Sequence, residues 1–105
     1  MVNLDSAEVI ANLDKLIHEP ARLAIMMLLY GVESADFIYL KTQTGLTQGN
    51  LSSHLGKLEA AGYIGVEKMF EGKIPRTLYH LTEAGRESFR DYIASMQGVL
   101  NELND

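Results

Sequence analysis

The stretch TGLTQGNLSSHLGKLEAAGYI, residues 44–64, decides how the rest of the chain is read. Thr47 is a good helix N-cap, and Leu46 and Leu51 stand at the two positions of a hydrophobic staple. Leu51, Leu55 and Leu58 recur at i, i+4 and i+7, forming one apolar stripe, and Gly62 closes the helix. The spacing predicts a helix over 47–61. At about 100° per residue, the side opposite the stripe falls among Gly49, Ser53, Gly56 and Ala60, flanked by Asn50, Ser52 and Lys57. Glycine inside a helix costs roughly 0.5–1 kcal/mol relative to alanine. A solvated face can be small and polar for no functional reason. Two interior glycines on one face are a cost that exposure alone does not explain, whereas close approach of another surface does.

Working outward, Ser6 is expected to cap a first helix over about 6–17, with Ile10, Leu13 and Ile17 at helical spacing. Pro20 suits the first turn of a second helix, where its missing N–H is harmless. That helix, EPARLAIMMLLYG, is apolar on most sides and is expected at the centre of the core, ending at Gly31. Asp36 can cap a third helix, FIYLKTQTG, ending at Gly45 in the left-handed conformation. Beyond the opening stretch, YIGVEKMF and RTLYHL are β-branched and aromatic and read as strands. EGKIP between them reads as a hairpin loop. Thr82 caps a long last helix carrying Phe89, Ile93, Met96, Leu100 and Leu103 at spacings of 4, 3, 4 and 3, a heptad-like seam. Tyr92 and Val99 widen it. The predicted class is mainly α with a β-hairpin (α+β), a helix-turn-helix followed by a wing and a long terminal helix.

The 105 residues form one domain. Within it, 18–81 is the helix-turn-helix and wing core, and 1–17 and 82–105 are terminal helices expected to dimerise. There is no cysteine, which excludes a disulfide framework and thiolate metal sites and fits a reducing cytosol. The start, MVNLDSAEV, is acidic and lacks the basic n-region of a signal peptide. The apolar run 24–30, even with Leu23 before it, is far short of the ~18–20 residues of a membrane span. No membrane partner is expected, and the expected location is cytoplasmic.

Net charge is −5, which by itself argues against nucleic acid. Its distribution points the other way. Residues 1–40 hold six acids and two bases, and residues 81–105 five acids and two bases. Residues 41–80 hold Lys41, Lys57, Lys68, Lys73 and Arg76 against three acids. The middle is mildly basic, and a local patch matters more than the total.

HEPARLAI (18–25), the opening stretch and GKIPRTLYHLTEAGR (72–86) together resemble a winged-helix transcriptional regulator, close to the ArsR and MarR groups. The likeness covers about residues 17–87. It is nearest to small single-domain regulators of archaea and bacteria with an LT-x-G-x-L-S-x-H-L-x-x-L-E-x-x-G-Y-I core and a P-R-T-x-Y-x-L-T-x-x-G-R wing-to-helix segment. The resemblance implies binding of double-stranded DNA as a homodimer. It puts the fourth helix in the major groove, the wing at the adjacent minor groove, and the terminal helices in the dimer. In such a groove, about 12 Å wide, Gln48, Asn50, Ser52 and Ser53 offer hydrogen bonds to base edges, Gly49 and Gly56 permit close approach, and Thr47 at the helix start counts with the DNA-binding residues. Without an arginine on this helix, direct readout is modest. Phosphate contacts from Lys41, Lys57, Lys73 and Arg76 and the shape of the DNA supply positioning. Ile74 departs from the family picture, in which another basic residue often stands near this point.

The dimer is expected to bury Ile10, Leu13, Ile17, Phe89, Tyr92, Ile93, Met96, Leu100 and Leu103 in some combination. His54 reads as a packed, hydrogen-bonded residue at the edge of the leucine stripe. His18, His54 and His80 lie on separate elements with no metal-site spacing, and neither a metal nor another cofactor is expected. Any small-molecule effector must bind at the dimer interface or between it and the DNA-reading helices. No nucleophile elbow, phosphate-cradling loop or H-x-x-x-H pair is present, so no enzyme is expected. The competing class is a winged-helix protein-interaction adaptor, favoured by the acidic total charge.

Overall fold

The computed structural model describes residues 4–104. The start of the expected 1–17 unit, including part of MVNLDSAEV, and Asp105 lie outside the described residues. Along the chain run α1 (Leu4–Ala11), α2 (Pro20–Tyr30), β1 (Ala35–Asp36), α3 (Phe37–Thr44), α4 (Gln48–Ala60), β2 (Ile64–Glu71), β3 (Ile74–Leu81) and α5 (Glu83–Leu103). This is the winged-helix order, with one short strand added.

The apolar α2 is the central element. Glu19 caps it, accepting the backbone N–H groups of Ala21 and Arg22 at 3.1 and 2.9 Å. Ile25, Met26 and Leu29 are fully buried, and α3, α4, α5 and β3 all pack around the helix. Local signals place α3 and α4 as expected. The Asp36 carboxylate accepts the Tyr39 N–H at 2.7 Å, and Gly45 takes φ 71° at the end of α3. The Thr47 hydroxyl oxygen accepts the Asn50 N–H at 3.2 Å. Leu51, Leu55 and Leu58 are buried. At the end of α4, Gly62 has φ 79°, its N–H bonds the Glu59 carbonyl, and the Tyr63 N–H bonds Leu58. This double closure is what a left-handed residue after a helix provides.

Four expectations need correction. First, Ser6 is not an N-cap. It lies buried inside α1, and its hydroxyl donates to the Glu102 carboxylate on α5 at 2.5 Å. Second, α1 stops at Ala11 rather than Ile17. The Asn12 side chain donates to the Glu8 carbonyl, and the Asp14 carboxylate accepts the N–H groups of Leu16 and Ile17. These short polar side chains compete with the helix for the backbone. Leu13 and Ile17 still reach the core, but from a connection.

Third, the wing loop is two residues long. The ladder runs from Ile64↔Leu81 to Glu71↔Ile74, so Ile74 and Pro75 are strand residues, and only Gly72, with φ 64°, and Lys73 form the turn. Ala35 and Asp36 pair with Tyr79 and Leu78, giving the sheet order β1-β3-β2. Fourth, the apolar face of α5, expected as a heptad-like seam widened by Tyr92 and Val99, divides into two rows. Phe89, Tyr92 and Val99 are buried and Met96 is partly buried, at spacings of 3, 4 and 3, whereas Ile93, Leu100 and Leu103 remain 44–48% exposed. Packing against α1 and α2 turns the first row inward. Leu13, Ile17, Phe89 and Tyr92, expected at a dimer interface, are therefore already covered by their own chain.

The joint between α4 and α5 is tight. Thr82 caps α5 by accepting the Gly85 N–H at 3.0 Å, and its own hydroxyl donates to the Gly62 carbonyl at 2.6 Å. The Thr82 N–H bonds the Tyr63 carbonyl at 3.0 Å. A Cβ at Gly85 would lie 1.9 Å from that carbonyl oxygen, so only glycine fits.

Candidate nucleic-acid interface

The leucine stripe of α4 turns the opposite face outward. Thr47, Gln48, Gly49, Asn50, Ser52, Ser53, Gly56 and Lys57 are all exposed. A Cβ added at Gly49 or Gly56 would meet nothing within 4 Å. Among the described residues, no neighbour therefore asks for glycine at either position. Lys41 and Lys57 sit exposed in the last turns of α3 and α4, and Lys73 is exposed at the wing turn.

A groove of about 490 Å³ separates α4 from the hairpin. Gln48, Ser52, Gly56 and Glu59 form one wall, and Val66, Lys68, Thr77 and Tyr79 the other. Burial, and then the charge of Glu59, push the Tyr79 hydroxyl pKa up. Lys68 and Thr77 were not among the expected site residues. The alternation of strand β2 and its pairing with β3 are the signals that could have found them.

Arg76 differs from the free cation expected at a loop tip. It lies within β3, and its guanidinium is ion-paired with both Glu71 and Asp36. Asp36 in turn caps α3, so one arginine fastens the two hairpin strands and the start of a helix together. The Tyr39 N–H holds the Asp36 carboxyl below its ordinary pKa, against a smaller opposing effect of burial and with help from Arg76. The two carboxylates push the Arg76 pKa further up, Glu71 foremost.

A second network fixes α4 against the start of α2. His54 Nδ1 lies 3.2 Å from Arg22 Nη1 and 3.7 Å from Glu19, and Arg22 Nε donates to the Leu16 carbonyl at 2.6 Å. The Tyr63 hydroxyl donates to Asp14, tying the α1–α2 connection to the end of α4. His18 hydrogen-bonds the Tyr92 hydroxyl at 2.7 Å, and the His80 ring lies over Gly65. The three histidines thus serve three separate places. Among the described residues, no group of three or more His, Asp or Glu is arranged to hold a metal ion, and no helix is long and apolar enough to cross a membrane.

On the terminal helices, Ile10 of α1 and Ile93, Leu100 and Leu103 of α5 are exposed. Ile93 shares a hollow of about 360 Å³ with Tyr30, Phe89 and Arg90. There Arg86 lies 4.8 Å from the centre of the Tyr30 ring, and Arg90 Nε donates to the Tyr30 hydroxyl.

Residues 21–100 match the family model described as a winged helix DNA-binding domain. An uncharacterized protein of Methanocaldococcus jannaschii is 40% identical over 80 residues, 75% of this chain and 86% of the relative. The structure of a transcriptional regulator homologue from Pyrococcus horikoshii OT3 superposes with a TM-score of 0.87 at 28% identity, covering 97% of this chain and 100% of that one. The transcriptional repressor BigR from Xylella fastidiosa gives a TM-score of 0.61 at 28% identity, over 83% of this chain and 82% of that one.

Proposed function

The chain belongs to the winged helix DNA-binding domain family, and from that premise we propose that it is a homodimeric transcriptional regulator that binds double-stranded DNA through α4. The observation that carries the reading is the outer face of that helix. It is small, polar and exposed, with two glycines that nothing among the described residues requires. In a major groove, Gly49 and Gly56 let the backbone approach, and Thr47, Gln48, Asn50, Ser52 and Ser53 reach base edges. Lys41, Lys57 and Lys73 meet phosphates. Arg76 acts chiefly by holding the wing in place.

The second copy docks on the exposed row Ile93, Leu100 and Leu103 of α5, with the exposed Ile10 of the neighbouring α1 contributing and Met96 at the margin. The core of 18–81 reads DNA, and the terminal helices join the subunits. Two subunits favour an inverted repeat with half-sites about one helical turn apart. Likeness to a transcriptional repressor supports repression as the outcome. An effector would act at the subunit interface or between it and α4.

Fluorescence anisotropy over a salt series tests this, using a duplex selected by the protein from a random pool and a scrambled control. The expected result is preference for the selected duplex and a steep loss of affinity with salt. The acidic total charge favours the adaptor reading, and a random pool that yields no duplex bound even at low salt would count for that reading instead.

A further inference from the structure

The hairpin ladder sorts its side chains by face. Directly opposed residues of antiparallel strands point to the same side. Val66, Lys68, Phe70, Pro75, Thr77 and Tyr79 therefore share one face, whose inner part forms the wall of the groove beside α4. Glu67, Met69, Glu71, Ile74 and Arg76 share the other, where Glu71 is spent on Arg76. The hairpin's acids are thus all on the face away from α4. The face toward α4 continues outward from Lys68 and Thr77 to an opposed apolar pair, Phe70 and Pro75.

Phe70 is 72% exposed. At about 3.3 Å per residue it stands about 7 Å beyond Lys68 along the strand. The groove places Lys68 and Thr77 beside Gln48 and Ser52, the N-terminal part of α4. A large aromatic held in water at a wing tip, next to Lys68 and Lys73 and clear of the hairpin's carboxylates, suits an anionic partner with an apolar interior. A base-pair stack under its phosphates is such a partner.

We propose that Phe70, backed by Pro75, is an apolar wedge that enters the minor groove beside the major groove occupied by α4, partly unstacks one base step and bends the duplex. The proposal rests on the DNA-binding reading above. Apolar side chains inserted in this way bend DNA by roughly 20–90°. Two backbone-rigid features prepare Phe70 for the role. The two-residue turn at Gly72 keeps the strands paired to their ends, and the Arg76 ion pairs anchor the hairpin to α3.

The test uses the full chain and the selected duplex carrying a fluorophore at each end, so that energy transfer reports bending while anisotropy reports affinity. Phe70→Ala removes the wedge from both subunits and should weaken binding roughly a hundredfold, about tenfold for each lost aromatic–base contact, and abolish the bend. Phe70→Leu, still apolar and bulky, should keep most of it. Lys73→Ala should reduce the salt dependence and leave the bend. Preference for the selected over the scrambled duplex should survive in all three. Equal affinity and bend in Phe70→Ala would overturn the wedge, as would a wild-type complex that binds tightly to straight DNA. In both cases the DNA-binding reading stands. No duplex binding at low salt would overturn both. A Phe70→Ala chain that loses self-association in sedimentation, with its DNA bend intact, would assign the tip to protein contact and also overturn the wedge.

Discussion

Replacing Gly85 by alanine tests the packing of the α4–α5 joint. The added Cβ would lie 1.9 Å from the Tyr63 carbonyl oxygen and 2.8 Å from its carbon. Reaching even 3.0 Å, a separation below which real Cβ atoms are essentially never found, means moving backbone by at least 1.1 Å. The carbonyl that must retreat accepts the Thr82 N–H at 3.0 Å, so the hydrogen bond stretches as the strain is relieved. Overpacking of this kind costs about 1–3 kcal/mol and a weakened backbone hydrogen bond about 1 kcal/mol. The gain in helix propensity returns at most about 1 kcal/mol. The net expectation is a loss of about 1–4 kcal/mol, centred near 2–3 kcal/mol, a substantial share of the ~5–15 kcal/mol that holds such a domain folded. For a chain of this size that lowers the melting midpoint by roughly 10–20 °C. Gly98 is the internal control. It lies in the same helix, and a Cβ there meets nothing within 4 Å, so Gly98→Ala should stabilise by about 0.5–1 kcal/mol. Thermal unfolding followed by circular dichroism, at one fixed protein concentration, reads both. A Gly85→Ala chain that melts at or above the wild type would refute the close approach.

Gly56→Glu should leave the melting midpoint near that of the wild type, since the position is open. It should abolish binding to the selected duplex, and unchanged affinity would remove α4 from the interface. Because the folded Asp36 pKa lies below its ordinary value, the stability this carboxylate contributes is complete above the ordinary range and lost as pH falls through the folded value. In acid titration, Asp36→Asn should melt lower than wild type near neutrality and converge with it at the acid end. Parallel curves would count against the cap and the ion pair. The double variant Ile93→Asp, Leu100→Asp should sediment as a folded monomer. Leu13→Ala, at a position buried in its own chain, should instead cost about 2–5 kcal/mol of folding stability. A dimeric Ile93→Asp, Leu100→Asp chain would exclude the exposed row as the interface.

The elements readable from the residues alone are those whose causes are local. Thr47, Asp36 and Thr82 cap helices through contacts three residues away, Gly45 and Gly62 end them by adopting positive φ, and the leucines of α4 choose its buried side through the helical period. Each cause acts within a turn or two, so the opening stretch was enough to set the orientation of α4 and with it the exposed polar face. The periodicity of Ile10, Leu13 and Ile17 suggests one helix at a dimer interface, but the last two lie in the chain's own core and beyond the end of the helix, because Asn12 and Asp14 take over the backbone there. Strand β1, two residues long, has no alternation to read and exists only because β3 offers it an edge. The side of α5 that faces inward depends on α1 and α2, since two apolar rows on one helix satisfy the same spacing. Arg76 carries no mark of its partners, Asp36 lying 40 positions back. Capping, turns and periodicity are written in neighbouring residues. Which apolar row is covered, which cation is neutralised and which aromatic is left in water are decided by segments far apart in the chain, and only their meeting in the folded state determines the outcome.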